Sequence, residues 1–318
     1  MKRIWFVLLV IGLSMSAFSQ AKMFINKFNG TTDSLLLSDF KSISYKSGSS
    51  TPNAPSDLIQ VAGGTFQMGI NVPANFANPP HPVTLSAFYI DKTEITYEQW
   101  AYVRSWALTH GYTDLPVGSG ATPVTGPNFP VTYVSWYDVV KWCNARSEMN
   151  GLTPVYYTRS TNTINEVYRT GELDLDYKNA VEWNTNGYRL PTEAEWEFAA
   201  RGGTKSLGYI YSGSHFIDIV AWYSGNAVLK VHPVSTKGAN ELGIYDMSGN
   251  VREWCWDWAA DYSSTAVTDP KGPASVQQYR ELRGGSFDGD ASSCLAGSRY
   301  DMSPSFPNPS VGFRCVRR

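Results

Sequence analysis

The segment LGIYDMSGNVREWCWDW, Leu242–Trp258, carries the densest chemistry in the chain. Its first half, Asp-Met-Ser-Gly-Asn, is turn sequence with glycine near its centre. Its second half alternates Trp254, Trp256 and Trp258, which puts the three indoles on one side of an extended strand. Asp246 and Glu253, with the carbonyls around Gly249 and Val251 between them, offer the hard oxygen donors that a calcium ion takes. The same residues also suit a bare turn between strands, and spacing alone does not separate the two readings.

Composition around this segment favours an irregular fold. The chain has 318 residues, of which 14% are aromatic and only 17% charged, against roughly 25% charged in soluble domains. Eleven Trp and nineteen Tyr among 27 Gly and 18 Pro point to loops stapled by aromatic packing, not to a helix bundle. A net charge of -2 gives no broad basic field, which argues against nucleic acid or an anionic membrane surface as partner.

The start of the chain predicts export. Lys2 and Arg3 precede an apolar run from Ile4 to Leu13, and Ala17 and Ser19 fit the small-residue positions of a signal-peptidase site. Residues 1–19 therefore read as a signal peptide of a secreted, periplasmic or extracellular protein. The run is too short to span a bilayer comfortably, no later segment is apolar enough to do so, and no Cys follows it to carry a lipid anchor. Residues 20–46 read as a short strand segment, with Met23–Ile25 and Ser42–Tyr45 of strand character and a turn at Asn29-Gly30. Residues 47–57 have linker composition, and 58–318 form the main domain.

Within that domain Val61 to Met68 reads as strand, Gly-Gly turn, strand, and Pro82 to Thr96 continues with alternating apolar residues. Three helix starts carry caps: Thr96, Ser135 with Asp138, and Thr192 with Glu195 behind Pro191. Glu193, Glu195 and Glu197 sit where a helix macrodipole favours carboxylates. The chain has no P-loop, no GxGxxG and no GxSxG motif. His81, His110, His215 and His232 show no ligand spacing and read as surface or loop residues.

Six ordered motifs go further: GGTFQMG, PVTLSAFYIDKTEIT, VSWYDVVKWCN, YRLPTEAEWEFAARGG, LGIYDMSGNVREWCWDW and RGGSF…VGFRCV. Together they resemble the formylglycine-generating enzyme family, also called sulfatase-modifying factors, over about Leu58 to Arg318. The resemblance implies an α+β, irregular C-type-lectin-like fold, low in regular secondary structure, calcium-bound and disulfide-stapled. It places calcium on Asp246, Gly249, Val251 and Glu253. A second calcium site would begin at Asn226 and Ala227, but the segment that should complete it, Val228 to Val234, is short. It also implies a Cys143–Cys315 disulfide, which leaves Cys255 and Cys294 to bridge each other in an oxidising compartment.

The family's enzymes hold Cu(I) through two thiolates after the GGS motif and oxidise a sulfatase cysteine to formylglycine. Here the first ligand position is Gly289 and only the second, Cys294, is a cysteine. One thiolate cannot make the two-coordinate site, so the resemblance implies calcium without copper and no confident catalytic residue. Iron-using relatives in the superfamily need a His cluster from an extra domain that is missing here.

The polar, Gly- and Pro-rich tail between GGSF and VGFR reads as a surface loop on a rigid scaffold. Asp288, Asp290, Tyr300, Asp301 and Phe306 are side chains of the kind that binding surfaces use. The same framing resembles the variable proteins of diversity-generating retroelements, whose variable positions fall at or near these residues, Gly289 and Ser293. The function expected is that of a secreted binding or surface-associated module for a protein or glycan ligand. The alternatives are an oxidising enzyme of the family and a ligand-binding variable protein.

Overall fold

The structure, a computed structural model, describes residues 22–26, 32–36, 58–70, 79–120, 126–160, 163–175 and 180–318. The chain divides into two compact units, Met1–Thr51 and Pro52–Arg318. The first contains β1 (Lys22–Asn26) and β2 (Thr32–Leu36), paired antiparallel with Lys22 opposite Leu36. The predicted signal peptide, the Asn29-Gly30 turn, the Ser42–Tyr45 strand and the linker lie outside the described residues.

The larger unit is α+β, built from short strands and few helices. In chain order these are β3 (Leu58–Val61), β4 (Gly64–Met68), β5 (His81–Leu85), β6 (Phe88–Asp91), α1 (Tyr97–Ala107) and α2 (Trp136–Met149). Then come β7 (Tyr157–Ser160), β8 (Thr163–Val167), α3 (Glu193–Ala200), α4 (Ile217–Val220) and β9 (Arg252–Trp258). Last are β10 (Val267–Thr268), β11 (Arg280–Arg283), β12 (Arg299–Met302), β13 (Val311–Gly312) and β14 (Val316–Arg317). The expected run from Pro82 to Thr96 is thus two strands and a helix cap, broken at Ser86 and Ala87.

Both predicted capping boxes form, and the predicted cap at Thr96 proves to be a third box. Thr96 with Gln99, Ser135 with Asp138, and Thr192 with Glu195 each exchange side-chain and backbone hydrogen bonds at their helix starts. Arg189 adds a two-pronged ion pair to Glu195 at 2.6 and 2.7 Å, locking the entry to α3.

Sheet order is β12-β11-β9-β13, with β9 antiparallel to β11 and parallel to β13. A second sheet runs β14-β6-β3, so the last and first strands of the domain flank β6 on either side. A third runs β10-β5-β4. The expectation that β9 turns its indoles to one side holds, but the opposite side is buried as well. Trp254 and Trp256 pack in a core with Trp100, Trp136, Trp142, Tyr156 and Phe313. Cys255, one residue away, packs in a separate core with Val61, Phe88, Trp196 and Met247. Period-two alternation therefore sends neighbouring side chains of one strand into two cores, and β9 is the wall between them.

Helix α2 is buried on most sides and carries two cations inward. Lys141 meets Asp114 at 2.9 Å. Arg146 forks onto Asp91 at 2.8 and 2.9 Å and lies 3.8 Å over the Tyr188 ring. Asp91 also accepts the Cys315 amide, so one carboxylate ties β6, α2 and the C-terminal segment together. Removing one partner from so buried a pair leaves an uncompensated charge. Arg146→Met should therefore cost about 3–5 kcal/mol in urea unfolding, while Arg169→Met, at a half-exposed pair with Glu148, should cost under about 1 kcal/mol.

Candidate functional site

The chemistry-bearing residues gather where the turn before β9 meets the C-terminal tail. Asp246, Gly249 and Asn250 all have positive φ, at 60°, 79° and 60°. Asp and Asn tolerate this region and glycine adopts it freely. A side chain at 249 would also strike the Trp222 carbonyl at 2.3 Å, which makes glycine obligatory there. The coil turns polar groups inward against three buried carboxylates: Glu94, Asp246 and Glu253.

Each carboxylate has partners. Glu253 pairs with Arg314 through both oxygens at 2.7 Å and accepts the Trp196 indole N–H at 2.8 Å. Glu94 accepts the Asn250 side-chain amide and the Val251 backbone N–H, at 2.8 and 3.1 Å. Asp246 accepts the Ser235 amide through Oδ2 at 2.6 Å. Burial, reinforced by Asp246 and Glu253, pushes the Glu94 carboxyl well above the usual range. Burial likewise raises Asp246 to about 6. Three acids facing one guanidinium are under-compensated when ionised, and a hard cation beside them would favour their carboxylate forms. Among the described residues no three His, Cys, Asp or Glu side chains converge to hold a metal, so the Gly249 and Val251 carbonyls would have to complete the set. Asn226 engages its side chain with Tyr223, Asp218 and Ala221 around its own turn.

Sequence reasoning missed Glu94 and Arg314 in this cluster. Glu94 lies 157 positions upstream in the sequence, and nothing local marks it as a partner of Val251.

The tail carries Gly289 and Cys294, the two positions that the resemblance compares with copper ligands. Gly289 donates its amide to Ser286 and accepts the Ser224 amide, each at 2.9 Å. A Cβ on Gly289 would lie 2.5 Å from Ser293 Oγ, so a side chain at 289 would have to displace that hydroxyl. Cys294 is fully buried beside Tyr211 and Val220. Burial pushes its thiol up to about 11, far from the thiolate that binds soft metals. Its sulfur would lie 2.7 Å from a Cβ on Gly285, whose φ of 72° also demands glycine. That contact accounts for the second glycine of the GGS motif.

All four cysteines are unbonded in this structure. Cys143 and Cys315 do face each other as the resemblance implied, with sulfurs 3.5 Å apart. Cys255 and Cys294 do not pair. Cys255 points from β9 into the core beside Trp196, whereas Cys294 packs with Tyr211 and Val220.

The five expected surface residues, Asp288, Asp290, Tyr300, Asp301 and Phe306, are all exposed. Arg252, at the head of β9, connects part of this set. Its guanidinium lies 4.6 Å over the Tyr300 ring, 3.7 Å from Asp288 and 3.5 Å from Ser310 Oγ. Asp290 closes a local turn by accepting from Ser292 and the Ser293 amide. The loop bearing Phe306 is pinned from outside the tail, where Trp136 N–H donates to Pro304 and Tyr133 N–H donates to Asn308. The face is thus a rigid frame with mobile-length side chains on it. Arg252 escaped the sequence reading because its neighbours in the chain, Val251 and Glu253, carried the stronger signal.

The three helix-start carboxylates are structural. Glu195 belongs to Arg189, Glu197 to Arg201 and Arg283, and Glu193 to Arg299. His81, expected at the surface, is buried in β5 with its ring edge against Tyr262.

Comparison with known proteins agrees with this geometry. A family model described as the sulfatase-modifying factor enzyme 1-like domain matches residues 45–318. The chaperone protein LppX of Paenibacillus barcinonensis is 39% identical over 241 residues, covering 70% of this chain and 79% of that protein. The formylglycine-generating enzyme of Streptomyces coelicolor is 30% identical over 299 residues, covering 83% of this chain and 90% of the enzyme. Among solved structures, Treponema denticola variable protein 1 is similar at a TM-score of 0.68 and 37% identity, covering 82% of this chain and 94% of that one.

Proposed function

Because the chain belongs to the sulfatase-modifying factor family, we propose that it keeps the family scaffold and uses it to bind a protein or glycan ligand, without the copper chemistry. The observation that carries this reading is Gly289. Its position holds a hydrogen atom where the enzymes carry a thiol, and Ser293 Oγ fills the space beside it. Cys294 alone, buried and held protonated, is a poor ligand for Cu(I). The exposed set around Arg252 supplies aromatic area and mixed charge on a pinned backbone, the combination binding loops use. Secretion belongs to the same reading and rests on the sequence of residues 1–19. Among the described residues no helix is long and apolar enough to cross a membrane.

A second form of this reading, a variable protein of a diversity-generating retroelement, is favoured by the similarity to the Treponema variable protein and by the exposure of Asp288, Tyr300, Asp301 and Phe306. An imperfect repeat of the tail-coding sequence and a reverse-transcriptase gene beside this one would support it, and their absence from the locus removes it.

The copper question has a direct assay. The purified chain should show no tight Cu(I) binding in competition with a chelating indicator, and no oxidation of a CxPxR peptide by mass spectrometry. Tight copper together with formylglycine product returns the protein to the oxidases.

Calcium is proposed at Asp246, Glu253 and the Gly249 and Val251 carbonyls, where it would balance the buried carboxylates and hold the turn before β9. At a calcium concentration a thousandfold above Kd, binding contributes about 4 kcal/mol. Adding EGTA should therefore lower Tm by several degrees, and an unchanged Tm argues that Arg314 suffices.

A further inference from the structure

A cleft of about 210 Å³ opens on the far side of β9 from the Trp254–Trp256 core, and no expectation from the sequence used it. His81, Glu193, Asp257, Trp258, Asp261 and Tyr262 line it. Its volume lies below the roughly 300–1,000 Å³ of pockets for drug-sized ligands, so its occupant is a single small group.

The polar lining is unbalanced. Asp257 is 5% exposed. Its Oδ2 accepts the Glu193 amide at 2.8 Å, and Oδ1 has no hydrogen-bond partner among the described residues. Glu193 is already matched, by Arg299 at 2.6 and 2.9 Å and by the Tyr262 hydroxyl at 2.8 Å. Arg299, the cation in the lining, is engaged by Glu193 and Glu281 together. Asp257 is therefore a buried acid at a solvent-reaching cleft with no counter-charge of its own, and Asp261 adds a further carboxylate to the lining. An anion would meet repulsion there. Met68, Val267 and Pro270, with the edge of the His81 ring, form apolar walls suited to a hydrocarbon stem.

We propose that this cleft binds a primary ammonium group on a short aliphatic stem, with Asp257 as its counter-ion. The inference is independent of the face around Arg252. Free alkylamines and lysine side chains share this chemistry.

The protonation of Asp257 supports the assignment. Burial chiefly, then the charge of Glu193, raises its carboxyl to about 8, with Glu195 adding to the rise and the Glu193 amide and Arg299 opposing it. Glu281 on β11 and Arg189 ahead of α3 also act on it, and His81 from β5, Asp261 and Tyr262 share the cleft. Without a cation beside it the acid is mostly neutral at pH 7. An ammonium ion favours the carboxylate, so binding expels a proton, and affinity should rise about tenfold from pH 6 to 7 and level off above 8. Stability follows the opposite sign. The folded value lies above the ordinary 3.8, so the contribution of Asp257 is full below about pH 4 and is lost as pH rises through 8.

Calorimetric titration of the full mature chain tests the proposal with n-butylammonium chloride, Nα-acetyl-lysine methylamide and n-butanol as probes. Both amines should bind and butanol should not, with Asp257→Asn weakening the amines at least tenfold. Tighter binding of butylammonium identifies a free amine as the occupant, and tighter binding of the lysine derivative identifies a presented side chain. Should Asp257→Asn fail to fold, the pH series on the natural chain decides. Absence of amine binding, equal binding of butanol, an unchanged Asp257→Asn affinity, or an affinity flat from pH 6 to 8 each overturns the proposal.

Discussion

The guanidinium of Arg314 is the tie on which the C-terminal half of the domain depends. It is fully buried and bonds Glu253 on β9, the Asp91 carbonyl at the end of β6 and the Tyr245 carbonyl in the turn before β9. Glu253 in turn holds the Trp196 indole of α3. Strand, turn, helix and tail therefore meet at one ion pair. Its planar fork of five donors reaches four acceptors here, more than the three N–H groups of a lysine could serve. The cost of burying the charge is met by hydrogen bonds, and removing either partner would leave the other charge stranded in the interior beside Trp196.

With that tie in place, the tail needs little regular structure of its own. The frame residues, Arg283 before the two glycines and Arg314 after Phe313, are buried and bonded at both ends. Between them the chain is free to run over the surface. Binding residues concentrate on such segments because the scaffold carries the stability. The buried frame and the exposed residues Asp288, Asp290, Tyr300, Asp301 and Phe306 follow this division, and the tail also ties the starts of α2 and α3 through Pro304 and Arg299.

What could be read from the sequence was local. Capping boxes lie within four residues, so Thr96, Ser135 and Thr192 were legible, as was the strand at Arg252–Trp258 from its alternating tryptophans. The exposure of Asp288, Asp290, Tyr300, Asp301 and Phe306 followed from the polar composition of the tail. Long-range pairing was not legible. Alternation usually implies one wet face, and only the second core behind Cys255 shows that β9 is dry on both sides. The Cys255–Cys294 pair was inferred by elimination, which has no geometric content, and the two residues turn into different clusters. Glu94, Arg252 and Asp257 acquire their roles from partners far along the chain, which no window of sequence displays.

The position of Arg252 carries a consequence for how the exposed face can change. One guanidinium stacks on Tyr300, neighbours Asp288 and reaches Ser310. Residues that share a partner do not respond independently to substitution. Replacing Tyr300 frees Arg252 to turn toward Asp288, and replacing Asp288 alters how firmly the stack on Tyr300 holds. The two positions should therefore be epistatic, so that the repertoire of surfaces open to this chain is smaller than the product of its sites, and changes at 288 and 300 are expected to be selected as a pair.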